Sequence, residues 1–266
     1  MANSDVPISA PDPRVDNDGG PTSPSQAFEI YTGLVQLTLN LDSYLKPLYR
    51  IDCKAHTLEP TTSNSVKVWI ESSKGIVRHI AIRGSDLSQP GAANLRLAVL
   101  CVQFLHHRVA LETRRTASTL DYVDLKDYYI QTRRSAEEVV LFIQELVGEQ
   151  LLDFWMPTLA FPLLSMMTFL IRSSVELEEA SIATGENVAF NLARTMMAHL
   201  RSHRNEYAWD IAELCYVHYH DVLEELGRNG SSTNFDLVDA QTIDALFAEM
   251  ISDDVGLYPP PHLTND

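Results

Sequence analysis

A chain of 266 residues with 45% apolar content is long enough to fill a real hydrophobic core, as one large domain or two small ones. Its formal net charge of −16 argues against direct nucleic-acid binding, which needs clustered Lys and Arg, and against docking on an anionic membrane. Cys53, Cys101 and Cys215 form no CxxC pair, which excludes a local zinc knuckle or disulfide framework and fits a reducing compartment.

Residues 1–25 intersperse five prolines with Asp, Ser, Asn and Gly, a composition that buries too little apolar surface to order itself, and are expected to be a disordered lead-in. No basic region followed by an apolar core marks a secretory signal there. A first helix is predicted over 25–45, with Phe28, Tyr31, Leu34, Val35, Thr38, Leu41 and Leu45 on one apolar face. Lys46-Pro47 is expected to close it, since the residue before proline avoids the helical region. Residues 53–65 are turn-like, and 65–74 is a short helix or a strand. The next helix is predicted over 92–113, with Leu95, Ala98, Val99, Val102 and Leu105 inward and Leu97, Leu100 and Phe104 widening the face.

A short helix over 118–134 is followed by Ser135-Ala136-Glu137-Glu138, which has capping-box spacing and so predicts a new helix start. The longest uncharged run then spans 154–171, FWMPTLAFPLLSMMTFLI. As one helix it would be roughly 27 Å long, enough to raise a transmembrane reading. Pro157 and Pro162 argue against an uninterrupted span, and the preferred reading is a central helix surrounded by others. Further helices are predicted over 186–203 and 206–226, then a loop over 227–234 and an amphipathic segment over 239–251. With few strand signals, the expected fold is all-α: an irregular helical bundle around a very apolar helix. Residues 26–230 form its body and 231–266 an acidic terminal segment.

Chemistry-bearing patterns are sparse. His199 and His203 share a helical face at zinc-ligand spacing, but HLRSH lacks a glutamate base, and Arg201 and Arg204 repel a cation. His218 and His220 point nearly opposite ways, Cys215 and His218 lack a third ligand, and the adjacent His106-His107 face different directions. Asp253-Asp254 has no third acid at DDxxD spacing. No phosphate loop, nucleophile elbow or dinucleotide fingerprint occurs. No catalytic, cofactor or metal residue is assigned, and the chain is not expected to be an enzyme. The alternative is an all-α enzyme or small-molecule binder with a scattered site, such as His199, His203 and Glu206.

From Glu206 onward thirteen acids face one base, Arg228. Within 231–254, bulky apolar residues alternate with acids in the manner of amphipathic activation segments. Phe235, Leu237, Leu246, Phe247 and Met250 are the candidate partner contacts. The competing reading is a last helix packed on the domain with a solvated acidic face.

The order of these pieces resembles the carboxy-terminal part of the regulatory, or middle homology, domain of fungal binuclear zinc-cluster transcription factors. LRLAVLCVQFLHHRVALE (95–112) resembles the family's LxLxYHxxxLLLHRP helix, with His107-Arg108 at the His-Arg position and Val109 replacing its proline. SAEEVVLFIQELVGEQLLDFWMPTLAFPLLSMMTFLIRSS (135–174) resembles the capped helix, proline turn and apolar helix that follow, with Trp155 and Pro157 in the turn. NSDVPISAPD and the helix after it are also similar to the middle of that domain. The resemblance implies a nuclear transcription regulator that contacts the transcription machinery or a related zinc-cluster factor, with a small effector between its helices. The family holds two zinc ions on six cysteines; the three scattered ones here leave no zinc cluster, so neither a cofactor nor direct DNA contact is expected of this chain.

Overall fold

Apolar residues at three- and four-residue steps wind this chain into helices, because that period gathers them on one face for burial. The computed structural model describes residues 26–49, 65–85, 87–116, 122–176 and 186–229. Among these it has no strand and nine α-helices: α1 (Gln26–Tyr49), α2 (Ser65–Ser72), α3 (Gly75–Arg83), α4 (Ala92–Thr116), α5 (Tyr122–Glu145), α6 (Gly148–Leu151), α7 (Ala160–Glu176), α8 (Val188–Tyr207) and α9 (Asp210–Asn229). The fold is all-α. The lead-in 1–25, the turn 53–64 and the whole of 231–266, with Phe235, Leu237, Leu246, Phe247 and Met250, lie outside the described residues.

Two helices share the centre. α4 packs against α1, α2, α3, α5 and α7, and over its first fourteen residues only Arg96 and Gln103 escape full burial. The apolar run expected to hold the centre alone is the second. Its proline reading holds: Pro157 opens a 3-10 turn, Pro157–Leu159, where its missing N–H removes no bond, and Pro162 sits in the first turn of α7. The span Pro157–Val175 is long and apolar enough to cross a membrane, yet 67% of it is buried against other helices. Phe154, Trp155 and Met156 form an extended turn before it, where a turn was expected at Trp155 and Pro157.

Local chemistry sets the helix order. α4 and α5 run antiparallel, tied by His107 Nδ1 on Ser135 Oγ and by Arg114 over the Tyr128 ring at 5.4 Å. Asn187 caps α8, accepting from Phe190 N at 2.9 Å and donating to Ser174 O at 2.7 Å, which closes α7 and α8 into a hairpin. Ala208 (φ 52°) ends α8 in a left-handed cap, and Arg204 reaches Glu213 across the corner into α9.

Two expectations need correction. No helix starts at Ser135: α5 runs straight through it, and its hydroxyl bonds the Gln131 carbonyl one turn back at 3.1 Å instead of capping. α1 continues through Pro47 to Tyr49, since a proline in the last turn forfeits only one intrahelical bond. Of the two readings open for 65–74, the short helix is the one found, up to Ser72, with Val66 turned inward.

Candidate interaction surface

α1 carries more apolar residues than one face can bury. Ile30, Leu34, Leu37, Leu41 and Tyr44 point into the core. Phe28, Tyr31, Val35 and Leu39 remain 60%, 60%, 46% and 74% exposed. These four follow steps of three, four and four, so they form a second stripe, opposite the first and about 16 Å long. The single face expected from sequence is therefore split. Leu34 and Leu41 belong to the core, Phe28, Tyr31 and Val35 to the surface, and Ile30, Leu37 and Tyr44 complete the inner face.

The outer stripe is bracketed on both sides. On one flank Trp69 of α2 donates through Nε1 to Gln36 Oε1 at 2.9 Å, beside Val68, which is also exposed. On the other, Thr38 Oγ1 lies 3.7 Å from Met156 Sδ in the turn that presents exposed Phe154. That turn is pinned. Gly91 N donates to Asp153 Oδ2 at 2.5 Å, Asn94 Nδ2 to Phe154 O at 3.1 Å, and Trp155 Nε1 to Gln150 O at 3.0 Å. The Trp155 ring meets Trp209 edge-on at 5.0 Å. Phe154 is thus held outward by a fixed backbone rather than left there by slack.

Charge divides along the same line. The described residues of α1 through α4 carry nine Lys and Arg against four Asp and Glu, in a chain of net −16. Lys67, Lys74, Arg78 and Arg83 of this group are exposed on α2, α3 and the residue between them. A shallow cavity of about 410 Å³ lies between the start of α1 and α3, lined by Gln26, Gly75, Ile76, His79 and Gln89.

The polar residues singled out from sequence mostly serve packing. His203 is buried, with Nε2 2.9 Å from Ile143 O and its ring against Trp209. Glu206 instead accepts from Ser202 at 2.7 Å on the surface, so His199, His203 and Glu206 do not converge. His218 bonds the Leu214 carbonyl, and His220 stacks on Tyr216 and pairs with Glu224. Among the described residues no three His, Cys, Asp or Glu side chains gather as metal ligands. His106 lies against Tyr44 of α1 and His107 against Ser135 of α5; burial holds both imidazoles below their ordinary pKa. Arg108 clamps α4 to α7 through Ser165, at its carbonyl and hydroxyl. Cys101 and Cys215 are fully buried, and burial drives both thiols well above the ordinary range.

No family model, curated protein or solved structure matches this chain. What it offers chemically is read from its own surface: an apolar stripe on α1 and exposed Lys and Arg on the neighbouring α2 and α3. Sequence reasoning missed Leu39, Val68 and Phe154 as surface groups. Leu39 had a signal, being four residues beyond Val35; the exposure of Val68 and Phe154 depends on neighbours distant in sequence.

Proposed function

We propose that this chain is a helical regulatory module that works by protein contacts, of the kind found in fungal zinc-cluster transcription regulators. The observation that carries the contact part is the outer stripe of α1. Four large apolar side chains stand on a helix whose opposite face is already packed, and such patches mark association surfaces on soluble domains. The transcriptional part rests on the resemblance of 95–112 and 135–174 to the family and on the acidic, apolar composition of 231–254. In this reading the module is nuclear, and Phe235, Leu237, Leu246, Phe247 and Met250 contact the transcription machinery or a related factor. It holds no cofactor and leaves DNA contact to a partner. The alternative of an enzyme or small-molecule binder loses its named cluster, since His203 is buried against the Ile143 carbonyl while Glu206 bonds Ser202 at the surface.

The test is a fusion of the whole chain to an unrelated DNA-binding domain upstream of a reporter. Transcription is expected to rise severalfold, and Leu246→Asp, Phe247→Asp and Met250→Asp together are expected to return it to baseline. A silent wild-type fusion, present at normal level in the nucleus, overturns the activation reading.

A further inference from the structure

We propose that residues 239–251 of this same chain dock as an amphipathic helix on the outer stripe of α1, with their acids toward the bases of α2 and α3. The inference concerns two surfaces of one chain and stands whether or not the segment activates transcription; docking and partner contact use the same Leu246, Phe247 and Met250 face, so each excludes the other at any one moment.

Three observations select this occupant. The first is pattern. Ile243, Leu246, Phe247 and Met250 stand at i, i+3, i+4 and i+7, one apolar face of a helix, with Asp244 and Glu249 on its two flanks. No other segment outside the described residues has it: 1–25, 50–64, 117–121 and 177–185 hold only scattered Val, Ile and Leu. The second is charge. Residues 230–266 contain seven Asp and Glu and no Lys or Arg, while Lys67, Lys74, Arg78 and Arg83 are exposed on α2, α3 and the residue between them, and α2 meets the edge of the stripe through Trp69 and Gln36. An apolar helix with acidic flanks therefore meets an apolar stripe with a basic flank, and the wrong register opposes like charges or leaves bases unpaired.

The third is reach. α9 ends at Asn229, and it packs on α7, which packs on α4, which packs on α1. Three interhelical steps of about 9 Å put the α1 axis roughly 27 Å from α9. α9 meets the Trp155 turn at its start, so Asn229 lies a further helix length of roughly 30 Å along it, about 40 Å from the stripe in all. The thirteen residues from 230 to 242 span up to about 43 Å when extended. The chain can reach the stripe when it is nearly extended.

Hydrogen exchange on the full chain reads the docking directly. Amides of 239–251 are expected to exchange at least tenfold more slowly than in the same peptide alone. Val35→Asp with Leu39→Asp, both on exposed positions, should restore the peptide rate while amides of α4 stay protected; Leu246→Asp with Phe247→Asp should do the same from the other side. Lys67→Glu with Arg78→Glu should weaken protection, and adding Asp244→Lys with Glu249→Lys should recover it. Peptide-like exchange in the wild type, or protection that survives the α1 pair, overturns the proposal. Carbodiimide cross-linking of mixed light and heavy isotope-labelled chains decides between one chain and two. Links from Lys67 or Lys74 to Asp244 or Glu249 must stay within one isotope, and mixed links show a second copy instead, which overturns docking in one chain.

Discussion

Leu37 and Leu39 lie two residues apart on α1 and on opposite sides of it, at 1% and 74% exposure. Truncating each to alanine tests the two-faced reading of that helix. At Leu37 the whole side chain leaves a packed interior, where such a change costs about 2–5 kcal/mol from lost transfer energy and the cavity left behind. At Leu39 only about a quarter of the side chain is covered by the bundle. Full burial of a leucine is worth about 1.5–3 kcal/mol, so the bundle itself loses less than about 1 kcal/mol. Whatever covers the stripe has the other three quarters to lose, about 1–2 kcal/mol, or roughly 5- to 30-fold in a docking equilibrium. Urea unfolding of the full-length variants, followed by circular dichroism, gives the comparison. Leu37→Ala should fall clearly below Leu39→Ala in midpoint, even if docking of the terminal segment adds to the Leu39 loss. Equal midpoints, or the reverse order, refute the assignment of inner and outer faces.

Two further outcomes follow from buried ionisable groups. His106 and His107 are held below the ordinary value of 6.5 by burial, so the unfolded chain takes up their protons first as pH falls. Their contribution to stability is complete above about pH 6.5 and lost below it. Urea midpoints should therefore rise from pH 5.5 to 7, and the rise should shrink in His107→Phe; an unchanged pH profile in that variant removes His107 from the account. Burial raises Cys215 to about 12 and Cys101 further still. A thiol reagent at pH 8, read site by site by mass spectrometry, should label neither in the native chain and both in urea. Native labelling of either at the rate of a free peptide contradicts their place in the core.

How much of this was legible in sequence depended on the range of the interaction. Helices at 92–116, 188–207 and 210–229 announced themselves through apolar period, which is a property of neighbours on one turn. The Pro157 turn was legible for the same reason. Ser135 misled because Ser-x-x-Glu has the same spacing inside a helix as at its start. What decides between them is whether the preceding residues, 122–134, continue the helix, and they do. The sequence counted enough apolar residues on α1 but could not say which stripe would find the core. That choice is made by α4, some sixty residues away. His203 likewise shows HxxxH spacing in sequence, whereas its Nε2 is committed to the Ile143 carbonyl, a partner sixty positions back.

The uncharged run 154–171 shows how these ranges combine. Its composition raised a membrane span, while its own Pro157 and Pro162 argued for a core helix. Polar groups outside it then tie it to its neighbours. Arg108 reaches Ser165 from α4, and Tyr219 of α9 donates to the Leu164 carbonyl at 3.0 Å and meets the Thr168 hydroxyl at 2.7 Å. These contacts supply hydrogen-bond partners to polar groups along α7, so the helix is committed to neighbours on both sides. Phe154, cut off from that helix by the proline turn and fixed by Asn94, is left facing outward beside α1. One uninterrupted apolar stretch thus divides at Pro157: beyond it the side chains close the core, and before it Phe154 extends the exposed apolar surface beside α1.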